Sequence, residues 1–453
     1  MARIALVGAS SRVTAFLHVL RNDVYKGVHE VVAMFDIDPG KMKGFCAKYN
    51  LDVPCFTDFN EMCDTIKPDM VIVTTVDATH AQYVIGAMDR KISVVSEKPL
   101  CINAEQCKQI RDAKSRHPEV FAVTSHNARY GPLTLKVKEM IDSGVIGKVL
   151  RMEYTEMLDR KHGTSYFRRW NSRRSCSNGL ELHKSCHHFD KMNFLLDSRA
   201  LEITGMGDLT YHGSKNPHKY QGVRCHECEH KDVCPDFFAY DKELFTSDAI
   251  YTPDLCIWSP DIDIEDNYAA VIKFECGVIC TYSICAHSQY EGEVIIIEGE
   301  TGRIEAKNVY FRDINDQSNT HDTNIITNQT LTLCRYGKGE PETIEIPRGN
   351  GADEVIYPEK NMAERFAVSE SNEHIFDYIN LGSDYSIYEI DVLDRWAGKT
   401  VKELNFRVKY NLAVLATKKN GVVTPVISGE RCFEKDEHLL VLGKEDDVRK
   451  VTK

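Results

Sequence analysis

The segment from Gly179 to Met192, GLELHKSCHHFDKM, concentrates side chains that can exchange protons or bind a metal. It contains three histidines, two lysines and one cysteine within 14 residues. If the segment is helical, His183 and His187, four residues apart, lie on one face and can address one substrate group. A neutral imidazole, with a pKa of about 6.5, accepts a proton at physiological pH. The segment is therefore a candidate proton-transfer site.

Metal binding is a second interpretation of the same segment. His183, His187 and Asp190 stand at positions i, i+4 and i+7, from which three ligands can converge on a divalent ion. Lys184 argues against a metal, because its positive charge would repel the cation. His188 faces the other side of the helix and is predicted to be a core residue.

The segment HGTSYFRRW, which ends at Trp170, has the composition of a carbohydrate-binding surface. Aromatic rings stack on the apolar face of a sugar, and guanidinium groups bond sugar hydroxyls or a carboxylate. Arg168, Arg169 and Trp170 are therefore candidate substrate-binding residues. A loop at a strand edge with a buried tryptophan fits the pattern equally well.

Three cysteines have the spacing of a zinc knuckle. Cys225, Cys228 and Cys234 follow the pattern C-x2-C-x5-C, which could hold a structural zinc through three thiolates. A nearby histidine, or a distant cysteine such as Cys256 or Cys176, would supply the fourth ligand. Reduced cysteines in a surface loop are the alternative. Most of the 16 cysteines are scattered singly, which favours a reducing compartment.

The first part of the chain alternates apolar, β-branched runs with amphipathic segments. Buried parallel strands in a doubly wound α/β fold are predicted from the runs RIALVG, EVVAMFDID, DMVIVTTV and ISVVSEKPL.

The turn GASSR after the first run keeps only Gly8 of the glycines in a dinucleotide fingerprint. Ser10 is small enough for a pyrophosphate to approach. Asp36 ends the second strand, where a carboxylate binds the ribose 2′-hydroxyl, and favours NAD over NADP, although an ordinary turn aspartate is the alternative.

The length and net charge of the chain limit the classes of fold and function that fit it. At 453 residues the chain exceeds one ordinary domain, and two or three domains are expected. A net charge of -12 argues against nonspecific binding to nucleic acid or anionic lipid, which depends on clustered Lys and Arg. The apolar runs fall short of the roughly 20 residues of a membrane-spanning helix, and the N-terminus resembles no targeting segment. A cytoplasmic location is expected.

The motifs SEKPL, from Ser96 to Leu100, and HNARYGP, from His126 to Pro132, carry a family resemblance. They resemble motifs of the glucose-fructose oxidoreductase, inositol dehydrogenase and MocA (Gfo/Idh/MocA) family. The resemblance covers about residues 1 to 350. It implies a Rossmann domain at 1-126 and a substrate and dimerisation domain at 127-350, built on an open, mostly antiparallel sheet.

The same resemblance implies roles for individual residues. Lys98 would point at the substrate beside the nicotinamide, and His187 would accept the proton of the hydroxyl that is oxidised. His183 occupies the position of the family's aspartate, so it cannot supply that fixed negative charge. The predicted cofactor-binding residues are Gly8, Ser10, Ser11, Arg12, Asp36, Thr75, Glu97 and Lys98. The predicted substrate-binding residues are Asn127, Arg129, Tyr130, Arg168, Arg169, Trp170 and Lys184.

The last hundred residues resemble a different family. IFDYINLGSDYSIYEI, WAGKTVKELNFRVKYNLAVLATKKNG and EKDEHLLVLGKEDDVRK are similar to the end of potassium-conductance regulatory (RCK) proteins of the Trk/Ktr type. This resemblance implies a linker at 351-383 with one strand and one helix, followed by a small α+β ligand-binding module at 384-453. Such modules pair and bind a small regulatory ligand. GKT at Gly398 is not a phosphate-binding loop, because Leu393 stands where a glycine is required.

The main functional hypothesis is an NAD-dependent oxidoreductase that takes hydride from a secondary hydroxyl of a sugar, glycoside or cyclitol. In it, His187 takes the hydroxyl proton and Lys98 stabilises the developing alkoxide. One alternative is a glycosidase that retains NAD and works by transient oxidation and elimination. Another is a nucleotide-sensing regulatory subunit that contacts a potassium transporter. Because members of both families self-associate, a homo-oligomer is expected.

Overall fold

The computed structural model describes residues 1–22, 27–215, 220, 222–240, 252–312, 325–346, 375–380, 385–419, 422–425 and 428–452. The chain forms two compact units. One consists of Met1–Ala2, Phe16–His29 and Glu359–Lys453, and the other of Arg3–Ala15 and Glu30–Pro358. No helix among the described residues is long and apolar enough to cross a membrane.

The first sheet has six strands in the order β3-β2-β1-β4-β5-β6. The strands are β1 (Ala2–Val7), β2 (His29–Phe35), β3 (Cys55–Phe56), β4 (Met70–Val73), β5 (Ser93–Ser96) and β6 (Ala122–Thr124). The accompanying helices are α1 (Val13–Leu20), α2 (Pro39–Lys48), α3 (Phe59–Ile66), α4 (Asp77–Met88) and α5 (Ala104–Arg116). Met70 pairs in parallel with Ile4 and with Ser93. The predicted doubly wound fold is confirmed, and its strand order reverses between β1 and β4, where such sheets bind ligands.

Burial explains why these runs form central strands. All of β4 and the last four residues of β1 are buried, as expected for parallel strands covered on both faces. Polar caps mark where the helices start. Asp38 accepts from Lys41 N at 3.0 Å before α2, and Asn103 accepts from Gln106 N at 2.9 Å before α5.

The second sheet has eight strands in the order β14-β13-β12-β11-β7-β10-β9-β8. The strands are β7 (Val149–Asp159), β8 (Ala200–Asp208), β9 (Asn267–Phe274), β10 (Ile279–Ser288), β11 (Glu291–Gly299), β12 (Gly302–Arg312), β13 (Ile325–Arg335) and β14 (Glu342–Thr343). Only β7 and β10 pair in parallel among the described strand pairs of this sheet. The prediction of a mostly antiparallel second sheet is confirmed.

Five helices of this region pack on or beside the second sheet. They are α6 (Pro132–Asp142), α7 (Arg160–Phe167), α8 (Arg174–Ser177), α9 (Leu180–His183) and α10 (Cys186–Leu196). Alternate residues of β10 point into the core that these helices cover, including Cys280, Tyr282 and Ile284, each at most 2% exposed. The helices thereby hold the histidine segment against one face of the sheet.

The histidine segment is not one continuous helix, in contrast to the prediction. Helix α9 ends at His183, and α10 begins at Cys186. The hydroxyl of Ser185 donates to Leu180 O at 3.1 Å, and Ser185 N donates to the same oxygen at 3.0 Å. These bonds insert an extra residue into the turn, so His183 and His187 belong to different helices.

The third sheet has five antiparallel strands in the order β15-β16-β19-β17-β18. The strands are β15 (Ile375–Asn380), β16 (Ser386–Asp391), β17 (Ala413–Lys419), β18 (Val422–Pro425) and β19 (His438–Gly443). The helices are α11 (Val401–Leu404), α12 (Phe406–Tyr410) and α13 (Glu445–Thr452). The predicted small α+β module is confirmed, with Trp396 fully buried in its core.

The helices and strands of the last hundred residues differ in part from those predicted. The expected single helix over TVKELNFRVKY divides into α11 and α12 at Asn405, whose φ of 46° lies in the left-handed region. The strand expected in the segment 351-383 is β15, whereas the helix expected there lies outside the described residues. The boundaries of the four predicted segments remain predictions.

Candidate active site

The loops at the carboxyl ends of β1 and β4 approach each other at Gly8. A Cβ on Gly8 would come within 2.9 Å of Thr74 C and Thr75 N. Gly8 also has a φ of 104°, which residues with a side chain rarely adopt. Glycine is therefore required where the sequence predicts the start of a dinucleotide turn.

Residues predicted to bind the dinucleotide surround this turn. Ser10 Oγ is buried without a hydrogen-bond partner, as suits a hydroxyl that would bond a ligand. Asp36 Oδ2 accepts from Ala9 N at 2.7 Å and lies 3.5 Å from Lys41 Nζ. The Asp36 carboxylate thus holds the turn, and its bond to a ribose hydroxyl stays a prediction. The glycine at Gly8 and the unpartnered hydroxyl fit a dinucleotide at this turn.

Arg12 and Glu97 connect the dinucleotide turn to the loop that follows β5. Arg12 Nη2 lies 2.9 Å from Glu97 Oε1, and Lys98 N donates to the other carboxylate oxygen at 3.2 Å. The buried charge of Glu97 is thereby matched, and the backbone of Lys98 is fixed. Ser11 and Thr75, also predicted to contact the cofactor, belong to the loops that follow β1 and β4.

Lys98 and His183 meet at the centre of the site. Lys98 Nζ donates to His183 O at 3.0 Å. His183 Nδ1 lies 2.5 Å from Asp77 Oδ2, and the side-chain amide of Asn171 lies 3.2 Å from His183 Nε2. Neither Asp77 nor Asn171 is among the residues predicted from the sequence. Asp77 follows the buried strand β4 and starts α4, and this position at the carboxyl end of a central strand was the available signal.

Burial controls the protonation of this histidine and its carboxyl partner. Burial, and then the charges of Lys98 and Arg169, lower the pKa of His183 well below its ordinary value. Burial raises the pKa of Asp77 well above its ordinary value, against the opposing charge of Lys98. Both shifts favour the uncharged forms, because a buried imidazolium or carboxylate would have to be desolvated. Asp77 therefore places a carboxyl group against the imidazole of His183.

His187 faces the same space as His126. Their ring centroids are 5.9 Å apart with the rings edge to face, and the Nδ1 atoms of both are buried without a hydrogen-bond partner. Burial, and then the charges of Lys98 and Lys184, lower the pKa of His187 well below its ordinary value. His187 is therefore neutral at physiological pH and has an unbonded nitrogen that can accept a proton.

The metal interpretation of this segment is not supported. Three predicted substrate-binding residues, Asn127, Arg129 and Tyr130, lie in the short 3-10 turn Asn127–Tyr130, and one of them contacts a proposed metal ligand. Arg129 Nε donates to Asp190 Oδ2 at 2.8 Å, so the third proposed metal ligand is already neutralised. Among the described residues, no group of three or more His, Cys, Asp or Glu side chains could hold a metal ion.

Lys184 and His188 point into a buried polar cluster. Lys184 Nζ lies 3.3 Å and His188 Nε2 3.4 Å from the carboxylate of Glu156, and His188 Nδ1 lies 2.8 Å from the hydroxyl of Tyr282. Burial alone would lower the pKa of Lys184, but Glu156 outweighs it and raises that pKa. The charge of Lys184 neutralises Glu156, and its predicted contact with the substrate stays a prediction. His188 is a core residue, as predicted.

The side chains of the neighbouring residues Arg168 and Arg169 lie in different parts of the structure. Arg169 lies over the ring of Tyr166, with its Cζ atom 5.6 Å from the ring centroid, and the ring of Trp170 lies 5.6 Å from that of His183. Both therefore belong to the surroundings of His183. Arg168 is 9% exposed and places Nη1 3.7 Å from Cys225 Sγ. The side chain of Arg168 enters the cysteine cavity, and its predicted contact with the substrate stays a prediction.

The cysteine cavity is lined by Cys225, Cys228, Cys234 and Cys256 together with Arg168. The predicted zinc is not supported, since no metal-binding group exists in the described part of the chain. Burial raises the pKa of Cys225 and of Cys234, so without a metal both side chains are thiols. The nearby guanidinium of Arg168 adds a positive charge that a metal cation would have to meet.

Comparison with family models divides the chain into three matched regions. Residues 2–125 match the NAD-binding Rossmann fold of an oxidoreductase family, Gfo/Idh/MocA, and residues 138–345 match the C-terminal alpha/beta domain of that family. Residues 386–453 match the TrkA-C domain. Both resemblances seen in the sequence are thereby confirmed.

Individual relatives agree with this division. The Bacillus subtilis protein YteT, described by its name as an oxidoreductase, is 34% identical over 330 residues, covering 68% of this chain and 77% of that protein. The Ktr system potassium uptake protein A of Bacillus subtilis is 33% identical over 100 residues, 22% of this chain and 45% of that protein. A levoglucosan dehydrogenase solved with NADH and levoglucosan has a TM-score of 0.56 at 15% identity, over 82% of this chain and 90% of that chain. The chain belongs to the Gfo/Idh/MocA oxidoreductase family, as a dehydrogenase of CH–OH groups, and carries a TrkA-C domain at residues 386–453.

Proposed function

We propose that this dehydrogenase uses NAD to oxidise a secondary hydroxyl of a sugar, glycoside or cyclitol. The observation that carries the proposal is the pair of buried, unpartnered Nδ1 atoms of His126 and His187. Buried polar atoms are normally hydrogen-bonded, so two such atoms facing one space favour a ligand with several hydroxyl groups. Lys98, in the loop after β5, is near enough that its charge lowers the pKa of both rings, after the larger effect of burial.

In this proposal His187 Nδ1 accepts the proton of the reacting hydroxyl. Burial keeps the imidazole neutral, so its lone pair is available, and it becomes cationic only as the hydroxyl proton leaves. Lys98 Nζ uses one of its three N–H groups on His183 O and can offer another to the developing alkoxide. Bound NAD supplies the hydride acceptor.

We assign NAD as the cofactor in preference to NADP. The supporting residue is Asp36, whose carboxylate lies against the turn at Ala9 and would repel a 2′-phosphate. Lys41, 3.5 Å from Asp36, reduces that repulsion in part. The name of the NADH-bound levoglucosan enzyme agrees with both the cofactor and a carbohydrate substrate.

The test is the near-ultraviolet absorbance of reduced nicotinamide after mixing the full-length protein with NAD and a panel of sugars, glycosides and cyclitols. His187→Ala and Lys98→Met should each lower kcat by roughly 100-fold or more while NAD still binds. Lys108→Ala, which removes an exposed lysine on α5, is the matched control and should keep the wild-type rate. A His187→Ala variant with full activity would refute the assignment of the base.

The same residues would also serve a glycosidase that retains its NAD. In that cycle a hydroxyl is oxidised, the aglycone is eliminated, water adds in its place and the hydride is returned, so the net reaction is hydrolysis and the cofactor ends in its starting form. Release of an aglycone from a glycoside, with bound NAD and without accumulation of NADH, would identify this variant. Accumulation of NADH in proportion to product would exclude it.

The C-terminal module supports a second candidate function, in potassium uptake. Its similarity to Ktr system potassium uptake protein A spans less than half of that protein, so regulation of a transporter by this chain is a proposal. In that role the module would bind a small regulatory ligand and pair with another copy. Co-purification of the full-length chain with a potassium transporter from membranes tests it, and turnover without such association would exclude it.

A further inference from the structure

Most cations near the active site have a carboxylate partner. Arg12 pairs with Glu97, Arg129 with Asp190, Lys184 with Glu156, and Lys191 with Glu293. Lys98 and Arg169 are different, since no carboxylate oxygen of the described residues lies within 4.0 Å of their charged nitrogens. Asp77, which shares their surroundings, is bonded to His183 instead.

The guanidinium of Arg169 is held in place, but not all of its hydrogen-bond donors are used. Its Nε donates to Ser165 O at 2.9 Å and its Nη2 donates to Ser165 Oγ at 3.0 Å. A guanidinium has five N–H groups, so these two bonds fix the plane of the side chain and leave three. Arg169 also lies over the Tyr166 ring, which orients it further. A preoriented, half-exposed guanidinium is the usual binding group for a planar carboxylate.

The two cations without carboxylate partners flank the same histidine. The charge of Lys98 and then that of Arg169 lower the pKa of His183, after the larger effect of burial. Lys98 comes from the loop after β5, and Arg169 from the segment between α7 and α8, so two separate elements bring the two charges near His183. Partly buried cations without a counter-ion are costly, and an anionic ligand would remove that cost.

We infer that the substrate carries a carboxylate and that Arg169 binds it, while the hydroxyl to be oxidised lies at Lys98 and His187. The substrate class is then a sugar acid, such as a hexuronic acid or a glycoside of one. This inference rests on the proposed dehydrogenase function, because it concerns the same site. A carboxylate suits this place better than a phosphate, since the guanidinium of Arg169, oriented over the Tyr166 ring, offers one planar pair of donors.

The experiment compares each acid with its own neutral derivative. The full-length protein with NAD is offered galacturonate and glucuronate, the methyl ester of each, and glucose 6-phosphate, with turnover followed by NADH formation. Binding of the same compounds to the protein with NADH is measured by calorimetry. An acid should exceed its ester by roughly 10- to 100-fold in kcat/KM and in affinity, as expected for a charge-assisted bidentate pair. Arg169→Gln should remove that preference, and Arg169→Lys should restore part of it.

The outcomes separate this inference from the function it rests on. Arg173→Gln, which removes a charge that Asp261 neutralises on the same segment, is the control and should keep the acid preference. Equal turnover of acid and ester would overturn the carboxylate site and keep the dehydrogenase. Tight binding of the acid without turnover would keep the site and overturn the dehydrogenase. A preference for glucose 6-phosphate, or neither binding nor turnover of any acid, would overturn the carboxylate inference.

Discussion

At the residue scale, the site combines residues that the sequence could and could not predict. Lys98 and His187 were identified by type and motif, and both lie at the site. Asp77 was missed because its partner, His183, is 106 residues away in the chain. Arg168 and Arg169 are neighbours with the same chemistry, and only packing decides that one enters the cysteine cavity and the other lies beside His183.

Replacing Asp77 by Asn tests whether the carboxyl partner of His183 matters for chemistry. Loss of the 2.5 Å contact with a carboxyl group should lower kcat by roughly 100-fold, with a small change in KM. Because burial lowers the pKa of His183 and of His187, the wild-type acid limb of kcat/KM should lie below about pH 6.5. A carboxyl group can ionise to balance an imidazolium at His183 and an amide cannot, so Asp77→Asn should move that limb to lower pH.

The control for Asp77→Asn is Asp89→Asn, at the other end of the same helix. Asp89 follows the last residue of α4 and pairs with the exposed Arg116, so its replacement should change neither the rate nor the pH profile. A lower kcat for Asp77→Asn with an unmoved acid limb would reduce Asp77 to a structural role.

At the scale of secondary-structure elements, hydrophobic periodicity predicted the strands of the first sheet. It failed at the helix break, which depends on a residue distant in the sequence. The apolar runs of the first sheet became its strands, because burial on both faces leaves a continuous signal in the sequence. The break between α9 and α10 left no such signal. It depends on Ser185, which bonds Leu180 nearby and Tyr282 from β10, 97 residues away.

Ser185→Ala tests the break between the two helices. Ser185 is fully buried, its hydroxyl accepts from Tyr282 Oη at 2.6 Å, and it donates to Leu180 O. Its removal deletes one buried hydrogen bond each from Tyr282 and Leu180, so the free energy of unfolding should fall by about 1–3 kcal/mol. Denaturant unfolding monitored by circular dichroism measures it. Ser175→Ala, at an exposed position of α8, should change stability by less than about 0.5 kcal/mol. Equal stability of both variants would contradict a structural role for the Ser185 hydroxyl.

At the scale of the whole molecule, the C-terminal sheet has a hydrophobic core of its own. Trp396 is fully buried there and packs edge to face on Phe406, with ring centroids 4.9 Å apart. The sequence predicted this module from short alternating strands, and the core follows from the same pattern. The active-site residues Lys98 and His187 belong to the other compact unit. Stability of the module and activity of the dehydrogenase should therefore be separable.

Trp396→Ala tests that separation. Deleting a buried tryptophan lowers the free energy of unfolding by about 3–5 kcal/mol. The thermal transition of the C-terminal module should therefore shift to lower temperature or disappear. The transition of the unit that holds Lys98 and His187, and its kcat/KM for the best substrate, should stay at the wild-type values. Tyr385→Ala, at an exposed position of the same module, controls for the loss of an aromatic ring and should leave both transitions unchanged. Loss of turnover in step with unfolding of the module would show instead that the dehydrogenase depends on its C-terminal partner, which would favour a regulatory coupling between the two units.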